Sequence, residues 1–218
     1  MLATDGRAIS GLLIPDVRLS ASNGIEISEG YYHRLADNKD VQIKAHVFTE
    51  AAPMISAQYR QLGDLGAFQI TGYATRSARI PVGTPGGGSK TDFRGYLAAN
   101  GRFQFDPNWS LSSSIRLASD RTFLRRYDIS RDDRLRSTVE VERIGDDSYL
   151  SIAGWATQTL RVGDSQGQVP VAFPVIDYRR RIQNVAGGKV ELQLNSLGIT
   201  RTSGQETQRA FAGAKWDL

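Results

Sequence analysis

Arginine is the residue of this chain whose chemistry and spacing are most suggestive, because eight arginines fall between Arg116 and Arg143. A guanidinium group can bind a phosphate through two parallel hydrogen bonds. The candidates for contacts to a phosphate-bearing ligand are Arg121, Arg125 and Arg126. Three acids lie close by: Asp128, Asp132 and Asp133. They offset much of the positive charge, which favours the alternative of a solvated loop held by ion pairs.

The other reactive residue types form no catalytic or metal-binding pattern. The run Gly86-Gly87-Gly88 resembles a phosphate-binding loop only superficially, because Ser89 separates it from Lys90 and no helical pattern follows. His33 and His46 lack the spacing of metal ligands. No two carboxylates can be placed across one cleft from the sequence. We therefore predict no catalytic residue, no metal site and no cofactor, in a protein that is not an enzyme.

The segments that carry these residues alternate between apolar and polar side chains. A period of two sends successive side chains to opposite faces of a sheet. It is clearest in four segments: 41–48, 109–117, 135–142 and 190–195. Strands of about ten residues span a bilayer when tilted, whereas no run approaches the ~18 apolar residues of a membrane helix. The alternation predicts an all-β fold, an antiparallel up-and-down transmembrane β-barrel, here a partial barrel of roughly twelve strands with its apolar face toward lipid.

The connections between these segments are alternately short and long. The short ones are 106–108, 145–147 and 184–188, and the long ones are 81–92, 120–133, 163–170 and 200–208. Outer-membrane barrels have short periplasmic turns and long outer loops. Aromatic residues near either set are expected to form interfacial girdles. They are Tyr31, Tyr32, Phe105, Trp109 and Tyr149 near the short turns, and Phe48, Phe93, Phe123, Tyr127 and Phe173 near the long loops.

Charge and cysteine content narrow the function classes only slightly. The 218 residues have a net charge of +4 that is spread along the chain, so we predict no nucleic-acid partner. There is no cysteine, and hence no disulfide and no thiolate chemistry.

Several short stretches, taken in order, resemble the LptD family of lipopolysaccharide-assembly outer-membrane proteins, also called organic solvent tolerance proteins. An apolar run ending in Pro15, an Asn23-Gly24 turn and the Tyr31-Tyr32 pair resemble the family's opening barrel hairpin. Further similar stretches are residues 60–63, 117–124 and 173–178. The resemblance covers nearly the whole chain and corresponds to the first half or so of the family's barrel domain.

This resemblance implies a role in membrane biogenesis at the Gram-negative envelope. Members of the family receive lipopolysaccharide through a periplasmic bridge protein, LptA, and insert it into the outer leaflet of the cell outer membrane. A plug lipoprotein, LptE, sits inside their barrel. The expected partners are therefore lipopolysaccharide, LptE, LptA and outer-membrane lipid, and the arginines of the 120–133 loop become candidate contacts to lipopolysaccharide phosphates.

In this family lipid is thought to leave sideways through a seam that prolines in the first strands weaken. A proline lacks the N–H that a strand ladder needs. Pro15 matches the first such proline, and Gly30 stands at the second position. Glu29 would face lipid in this register, so we expect either a bulge that turns it inward or a different register there.

The ends of the chain suggest a piece of a larger protein. No signal peptide opens the sequence, and Trp216 lies in what resembles the middle of a strand. We expect residues 1–218 to form a single domain, part of a barrel whose periplasmic domain and remaining strands are missing. Such a piece is expected to be an open sheet with unpaired edges at the strands of Pro15 and Trp216.

Two other functions stay open from the residues alone. One is another outer-membrane barrel, such as a porin or solute channel. The other is a soluble β-rich protein with adhesive or carbohydrate-binding function, in which the apolar faces would pack against each other between two layers.

Overall fold

The computed structural model describes residues 9–79 and 89–218. The glycine run at 86–88 and most of the predicted 81–92 loop lie outside these residues. In chain order the strands are β1 (Gly11–Leu12), β2 (Asp16–Ser20), β3 (Gly24–Ala36), β4 (Lys39–Phe48), β5 (Met54–Gly63), β6 (Gly66–Arg79), β7 (Lys90–Gln104), β8 (Trp109–Ala118), β9 (Arg134–Gly145), β10 (Ser148–Thr159), β11 (Val171–Val185), β12 (Gly188–Thr200) and β13 (Thr207–Asp217). A four-residue helix, α1 (Phe123–Arg126), and a 3-10 helix, Gln166–Gln168, complete the described elements.

The strands form one antiparallel sheet in which each strand from β3 to β13 neighbours the next in the chain. Both β1 and β2 pair with β3 and so form a single interrupted strand. The sheet therefore has twelve passes, and the predicted all-β fold of a partial up-and-down barrel is confirmed. Among the described residues β1 and β2 pair only with β3, and β13 pairs only with β12, so the sheet is open as expected.

Within this sheet the chain forms two compact units. Unit 1 lies within Met1–Ala99, Arg116–Asp133 and Leu160–Val162, and unit 2 within Asn100–Ile115, Arg134–Thr159 and Gly163–Leu218.

The predicted alternation of short and long connections is confirmed for the described residues. The short connections are 37–38, 64–65, 105–108, 146–147 and 186–187. The connections that alternate with these at the other end of the strands include three long ones, 119–133, 160–170 and 201–206. Two-residue turns only reverse the chain, whereas the long connections have room to fold over the sheet.

In unit 1 the two faces of the sheet differ sharply in polarity. Its polar face carries small and charged side chains that are at most 9% exposed: Glu26, Ser28, His46 and Ser56. Its apolar face carries side chains that are 45–60% exposed: Ile25, Ile27, Ile43, Val47 and Ile55. This is the reverse of a soluble sheet, which buries its apolar face. The alternative of a soluble protein with stacked apolar faces is therefore wrong for this unit.

Unit 2 follows the same rule. Val139 and Ile152 are exposed on its apolar face, while Ser151 is buried on its polar face and donates a hydrogen bond to Glu140 Oε1 at 2.7 Å. No helix among the described residues has the length and hydropathy needed to cross a bilayer.

The predicted aromatic girdle is only partly present. Phe93 and Phe173, near the long connections, are exposed, as are Tyr31 and Phe105 near the short ones. The prediction is wrong for Phe48, Phe123 and Tyr127, which are buried and pack against each other, with ring centroids 5.2 and 5.4 Å from that of Tyr127. They are not part of a girdle because they form the apolar contacts by which the 119–133 connection packs onto the sheet.

Exchange of adjacent residues on β4 tests the assignment of the two faces. In the full-length protein, Ile43→Arg places a cation on the exposed apolar face near the middle of β4 and is expected to lower the free energy of unfolding from lipid by about 2–4 kcal/mol. The matched variant Gln42→Arg places the same cation on the polar face and is expected to change it by less than about 1 kcal/mol. Denaturant unfolding in vesicles measures both, and equal losses would contradict the assignment.

Candidate functional site

The edge of unit 1 is a strand with two registers. β1 pairs with β3, and the N–H of Leu13 continues this register by donating to the carbonyl oxygen of Gly30 at 2.7 Å. β2 pairs with the same strand, but it begins with Asp16 opposite Ser28. The two registers differ by one residue.

The extra residue lies at Pro15. Ile14 and Pro15 together stand opposite Glu29 alone, which is the two-against-one pattern of a β-bulge. Proline is compatible with this position because it has no N–H to contribute to the ladder, and edges and bulges are where strands accept it. The interruption thus lies at the proline that the family resemblance singles out in the sequence.

The expectation that a bulge turns Glu29 away from the apolar register is wrong. β3 pairs with β4 without a register shift from Glu26 to Arg34, and Glu29 lies opposite Ala45 with its side chain exposed on the apolar face. The bulge is real but belongs to the neighbouring edge strand. A bulge there leaves the side-chain alternation of β3 unchanged.

Gly30 is buried and closely surrounded. A Cβ at this position would lie 2.6 Å from Lys44 Cγ, 3.0 Å from the carbonyl oxygen of Ile43 and 3.1 Å from Leu13 Cδ1. The first of these approaches requires Lys44 to shift and the other two are tight, so the second predicted seam position holds a residue that leaves room for the Lys44 side chain.

The connection 119–133 folds onto the polar face of unit 1 and is not a solvated loop throughout. Its helix α1 buries Phe123 and Leu124 completely, and Tyr127 follows with 4% exposure. Tyr127 packs on Phe48, whose side chain lies on the polar face at the end of β4. The expected solvated loop with ion-paired acids is therefore only partly right. Asp132 and Asp133 do form ion pairs, with Arg116 and Arg161, but three apolar side chains also anchor the loop.

Arg126 fixes the loop to the connections beside the edge strand. Its guanidinium donates to the carbonyl oxygen of Ser22, to Asn23 Oδ1 and, at 2.7 Å, to the carbonyl oxygen of Glu50. Asp128 accepts a hydrogen bond from Ser20 Oγ, at the last residue of β2. The loop therefore holds the end of β2 that lies farthest from the bulge.

A buried ion pair holds the beginning of the same loop. Arg94 Nε and Nη2 donate to the two carboxylate oxygens of Asp120 at 2.8 and 2.9 Å, and both side chains are at most 7% exposed. Burial alone would raise the pKa of Asp120, but the hydrogen bonds from Arg94 and Thr122 outweigh it and lower the pKa from 3.8 to about 2. Asp120 is therefore a carboxylate at any physiological pH.

The other two predicted arginines have different surroundings. Arg121 Nη1 donates to the carbonyl oxygen of Arg161 at 2.7 Å. Arg125 is exposed on α1, and its guanidinium has no hydrogen-bond or ion-pair partner within 9–79 and 89–218. The structure therefore brings Arg125 and Arg126 together on one helix and leaves Arg125 accessible to a ligand.

Two adjoining cavities lie between the loop and the polar face. One of ≈ 350 Å³ is lined by residues that include Lys44, Tyr73 and Tyr127. The other, of ≈ 460 Å³, lies beside β2 and is lined by residues that include Leu19 and Arg131. Both have Arg18, Glu26 and Asp128 in their walls.

The first cavity also contains a buried hydrogen-bond network. His46 Nδ1 lies 2.8 Å from Glu26 Oε1, and His46 Nε2 lies 2.9 Å from Ser56 Oγ. With a neutral imidazole, Nδ1–H donates to the carboxylate and the Ser56 hydroxyl donates to Nε2. This order of groups is that of a serine hydrolase. Hydrolysis also needs free N–H donors for an oxyanion, and Ser56 lies in β5, which is paired on both sides. The network therefore satisfies buried polar groups.

The residues that hold the 119–133 connection against the sheet were not identified from the sequence, although the sequence contains one signal for them. Arg94, Asn23 and Asp120 make its main contacts. Asp120 also accepts hydrogen bonds from the N–H and hydroxyl of Thr122, and an Asp that binds the N–H two residues further on forms an Asx turn, for which Asp is a recognisable residue type. No group of three or more potential metal ligands occurs among the described residues.

Comparison with known proteins gives consistent matches. The family model described as LptD, LPS transport system D, matches residues 92–218. Proteins named LPS-assembly protein LptD are similar over shorter or longer segments. The one from Psychrobacter cryohalolentis is 41% identical over 58 residues, 27% of this chain and 6% of that protein.

Two further relatives with the same name match longer segments. The protein of Xylella fastidiosa strain Temecula1 is 29% identical over 147 residues, 65% of this chain and 17% of that protein. The protein of Nitrosococcus oceani is 28% identical over 116 residues, 53% of this chain and 14% of that protein. The chain thus spans at most about a sixth of the length of these relatives.

Two aspartates of the loop offer a matched test of how it is held. Asp120→Asn leaves Arg94 buried without its counter-charge, a change that typically costs about 3–5 kcal/mol. Asp132→Asn removes the more exposed ion pair with Arg116, at 2.6 Å, and is expected to cost at most about 1 kcal/mol. Trypsin cleavage after Arg125 and Arg131 in the full-length protein should accelerate strongly only in Asp120→Asn.

The pH dependence provides the control for this prediction. Because the folded-state pKa of Asp120 is lowered, its contribution is complete above the ordinary value of 3.8 and is lost as the pH falls toward 2. Hydrogen exchange of the loop in the native protein, expressed relative to the intrinsic exchange rate at each pH, should therefore rise between pH 4 and pH 2, and that rise should be smaller in Asp120→Asn. Equal behaviour of both proteins in this window contradicts the proposed role of Asp120.

Proposed function

Because this chain belongs to the LptD family, the LPS transport system D, we propose that it forms the opening part of the barrel domain of a lipopolysaccharide translocon in the cell outer membrane. The whole protein would insert lipopolysaccharide into the outer leaflet. Residues 1–218 would contribute the first strands of that barrel, and the remainder of the protein would supply the others and a periplasmic domain.

One observation supports this proposal beyond the family match. Unit 1 exposes the apolar residues of its alternating strands and shields the polar ones, as a sheet does when its apolar side faces lipid and its polar side faces a lumen. The polar side of unit 1 contains two cavities and is covered in part by a folded loop, and it is not a packed apolar core.

The interrupted edge strand is the proposed lateral exit for lipid. Pro15 and the bulge opposite Glu29 leave this edge with fewer ladder hydrogen bonds than a regular strand would have. Gly30 admits the Lys44 side chain directly behind this point. In the whole protein, the strand that closes the barrel would meet the other side of this edge, and an irregular edge strand with a proline would pair less completely with it, which would lower the free energy needed to part the two.

The arginines of the loop are proposed to differ in their roles. Arg125, which is exposed, and Arg121 are the proposed contacts to lipopolysaccharide phosphates. Arg126, the third candidate, already donates to three protein acceptors, and we propose that it positions the loop.

The remaining partners are proposed from the family alone. They are the plug lipoprotein LptE within the lumen, the periplasmic bridge protein LptA, and the surrounding outer-membrane lipid. Translocation requires no bond to be made or broken, so we propose a transport protein without enzymatic activity, cofactor or nucleic-acid partner.

Depletion of the full-length protein distinguishes this function from that of a porin or solute channel. Under the proposal, depletion lowers the amount of newly made lipopolysaccharide that reaches the cell surface, measured by surface labelling after a metabolic pulse. A porin would instead lower the uptake of small hydrophilic solutes and leave surface lipopolysaccharide unchanged, and that result would overturn the proposal.

The seam is tested by restoring the missing donor. Pro15→Val supplies an N–H to the edge strand, and one additional hydrogen bond of about 0.5–1.5 kcal/mol would disfavour opening roughly two- to twelvefold. In cells depleted of the wild-type protein, this variant should fold normally but deliver lipopolysaccharide more slowly. Ile14→Val keeps the proline and serves as control; equal transport by both variants argues against an exit at this edge.

A further inference from the structure

We propose that unit 2 carries a binding site for the phosphate of a glycerophospholipid on its apolar face, where β9, β10 and β11 approach the short connections. The site is formed by Arg143 and Arg180, with Ser148 between them. The inference rests on the proposed membrane location but is independent of lipopolysaccharide transport.

Arg143 lies on the mainly apolar face of β9. Val139 and Val141 precede it on the same face of β9, and Trp109 lies directly opposite it on β8. The Arg143 guanidinium is 6.0 Å from the centroid of the Trp109 ring, and its Nη1 donates to Ser148 Oγ at 2.8 Å. Neither partner is an anion, so these contacts orient the cation without neutralising it.

The guanidinium of Arg143 is directed toward the end of the sheet. A Cβ at Gly145 would lie 3.5 and 3.7 Å from the two terminal nitrogens of Arg143 and 3.1 Å from Ser148 Oγ. The side chain therefore runs along its own strand toward the 146–147 connection. An arginine on a lipid-facing strand is expected to reach toward the headgroup region in this way, because its aliphatic part suits hydrocarbon and its charge does not.

Arg180 brings a second cation to the same place. It lies directly opposite Ser148 across the β10–β11 ladder, so the two Cβ atoms are about 4.5–5.5 Å apart and on the same face. The Arg180 side chain is exposed. Since Arg143 reaches Ser148 from the other strand and Arg180 stands opposite Ser148, the two arginines lie on either side of one hydroxyl on the same face, and we propose that both contact one phosphate there.

The distribution of acids on these strands shows that this pair needs an external anion. On the polar face, Arg179 is paired with Asp177 at 2.7 Å and Arg181 with Glu191 at 3.2 Å. Within 9–79 and 89–218, Arg143 and Arg180 have no carboxylate partner. Asp146 and Asp147 lie in the adjoining connection but form no ion pair with either arginine among the described residues. Two guanidinium groups beside apolar side chains and a tryptophan ring complement a ligand with an anionic head and hydrocarbon tails.

The position of Arg143 and Arg180 at the end of their strands indicates which class of lipid the site would bind. Short connections lie at the periplasmic end of outer-membrane barrels. The headgroups at that depth belong to the periplasmic leaflet, where the phosphate is that of a glycerophospholipid. Acyl chains would run from there along the apolar face past Leu150, which lies opposite both Arg143 and Tyr178.

Adjacent arginines on opposite faces provide the test. The purified full-length protein in dodecyl maltoside micelles is titrated with dioleoyl phosphatidylglycerol, and bound lipid is counted by native mass spectrometry. Arg180→Gln and Arg143→Gln should each weaken binding roughly tenfold, through loss of a charge-assisted hydrogen bond. Arg179→Gln removes the same charge from the neighbouring residue on the polar face and should leave binding unchanged.

The outcomes are separable from those for lipopolysaccharide transport. Equal weakening by Arg179→Gln would reveal a general effect of charge and overturn the proposed site. Undiminished binding of phosphatidylglycerol by Arg180→Gln would also overturn it, and so would preferential displacement of phosphatidylglycerol by lipid A. Heat-modifiable gel migration verifies that each variant is folded. If a glutamine variant does not fold, Arg180→Lys and Ser148→Ala replace it, and each should weaken binding by less than loss of a guanidinium. The assay contains no transport step, so a failed transport proposal leaves its result interpretable.

Discussion

The hydrogen-bond ladder between strands is the constraint from which the other features of this protein follow. In hydrocarbon no water is present to satisfy a free amide or carbonyl, so a membrane sheet must pair its backbone completely. Regular antiparallel pairing fixes the alternation of side chains, and alternation places Ile43 toward lipid whenever Gln42 faces the polar side. Any interruption of the ladder is then a weak point. The described strands between β3 and β12 have neighbours on both sides, whereas β1 and β2 form an edge that is itself interrupted at Pro15.

The polar face of unit 1 is held together by directed polar contacts, where a soluble protein would use apolar packing. The Arg94–Asp120 pair, the contacts of Arg126 and the network around His46 are all buried or half-buried. Such contacts fix position more strictly than apolar packing does, because each requires a particular partner at a particular angle. The same loop contacts both Ser20 and Ser22, so the packing of the polar face and the position of the edge strand are physically linked.

The amount of structure that could be predicted from the sequence depended on the range of the interactions involved. Alternation is a local property, and it correctly predicted the strands, the short turns and the orientation of their faces. The seating of Phe123 and Tyr127 was not predictable, because their partner Phe48 and the anchors Asn23 and Glu50 lie 70 or more residues away in the chain. The composition of the arginine-rich 119–133 connection, with its interspersed acids, indicates a solvated loop. Its fold is instead decided by three apolar side chains within the same segment. The direction of Arg143 was equally hidden, because it depends on a hydrogen bond to Ser148 in the neighbouring strand.

Glu29 shows why the register of one strand could not be decided without its neighbour. An acid on a lipid-facing register is unfavourable, and two explanations were open: a bulge in β3, or a different register. The structure contains a bulge, but in the strand opposite, where two residues of the edge face Glu29 alone. Glu29 therefore keeps its place on the apolar face, adjacent to the one stretch of edge backbone where the regular ladder is broken. A carboxylate is better tolerated beside unpaired polar backbone than in the middle of a continuous apolar surface, because the local environment is already polar. The proline and the glutamate, which appeared as separate irregularities in the sequence, thus belong to a single feature of the edge.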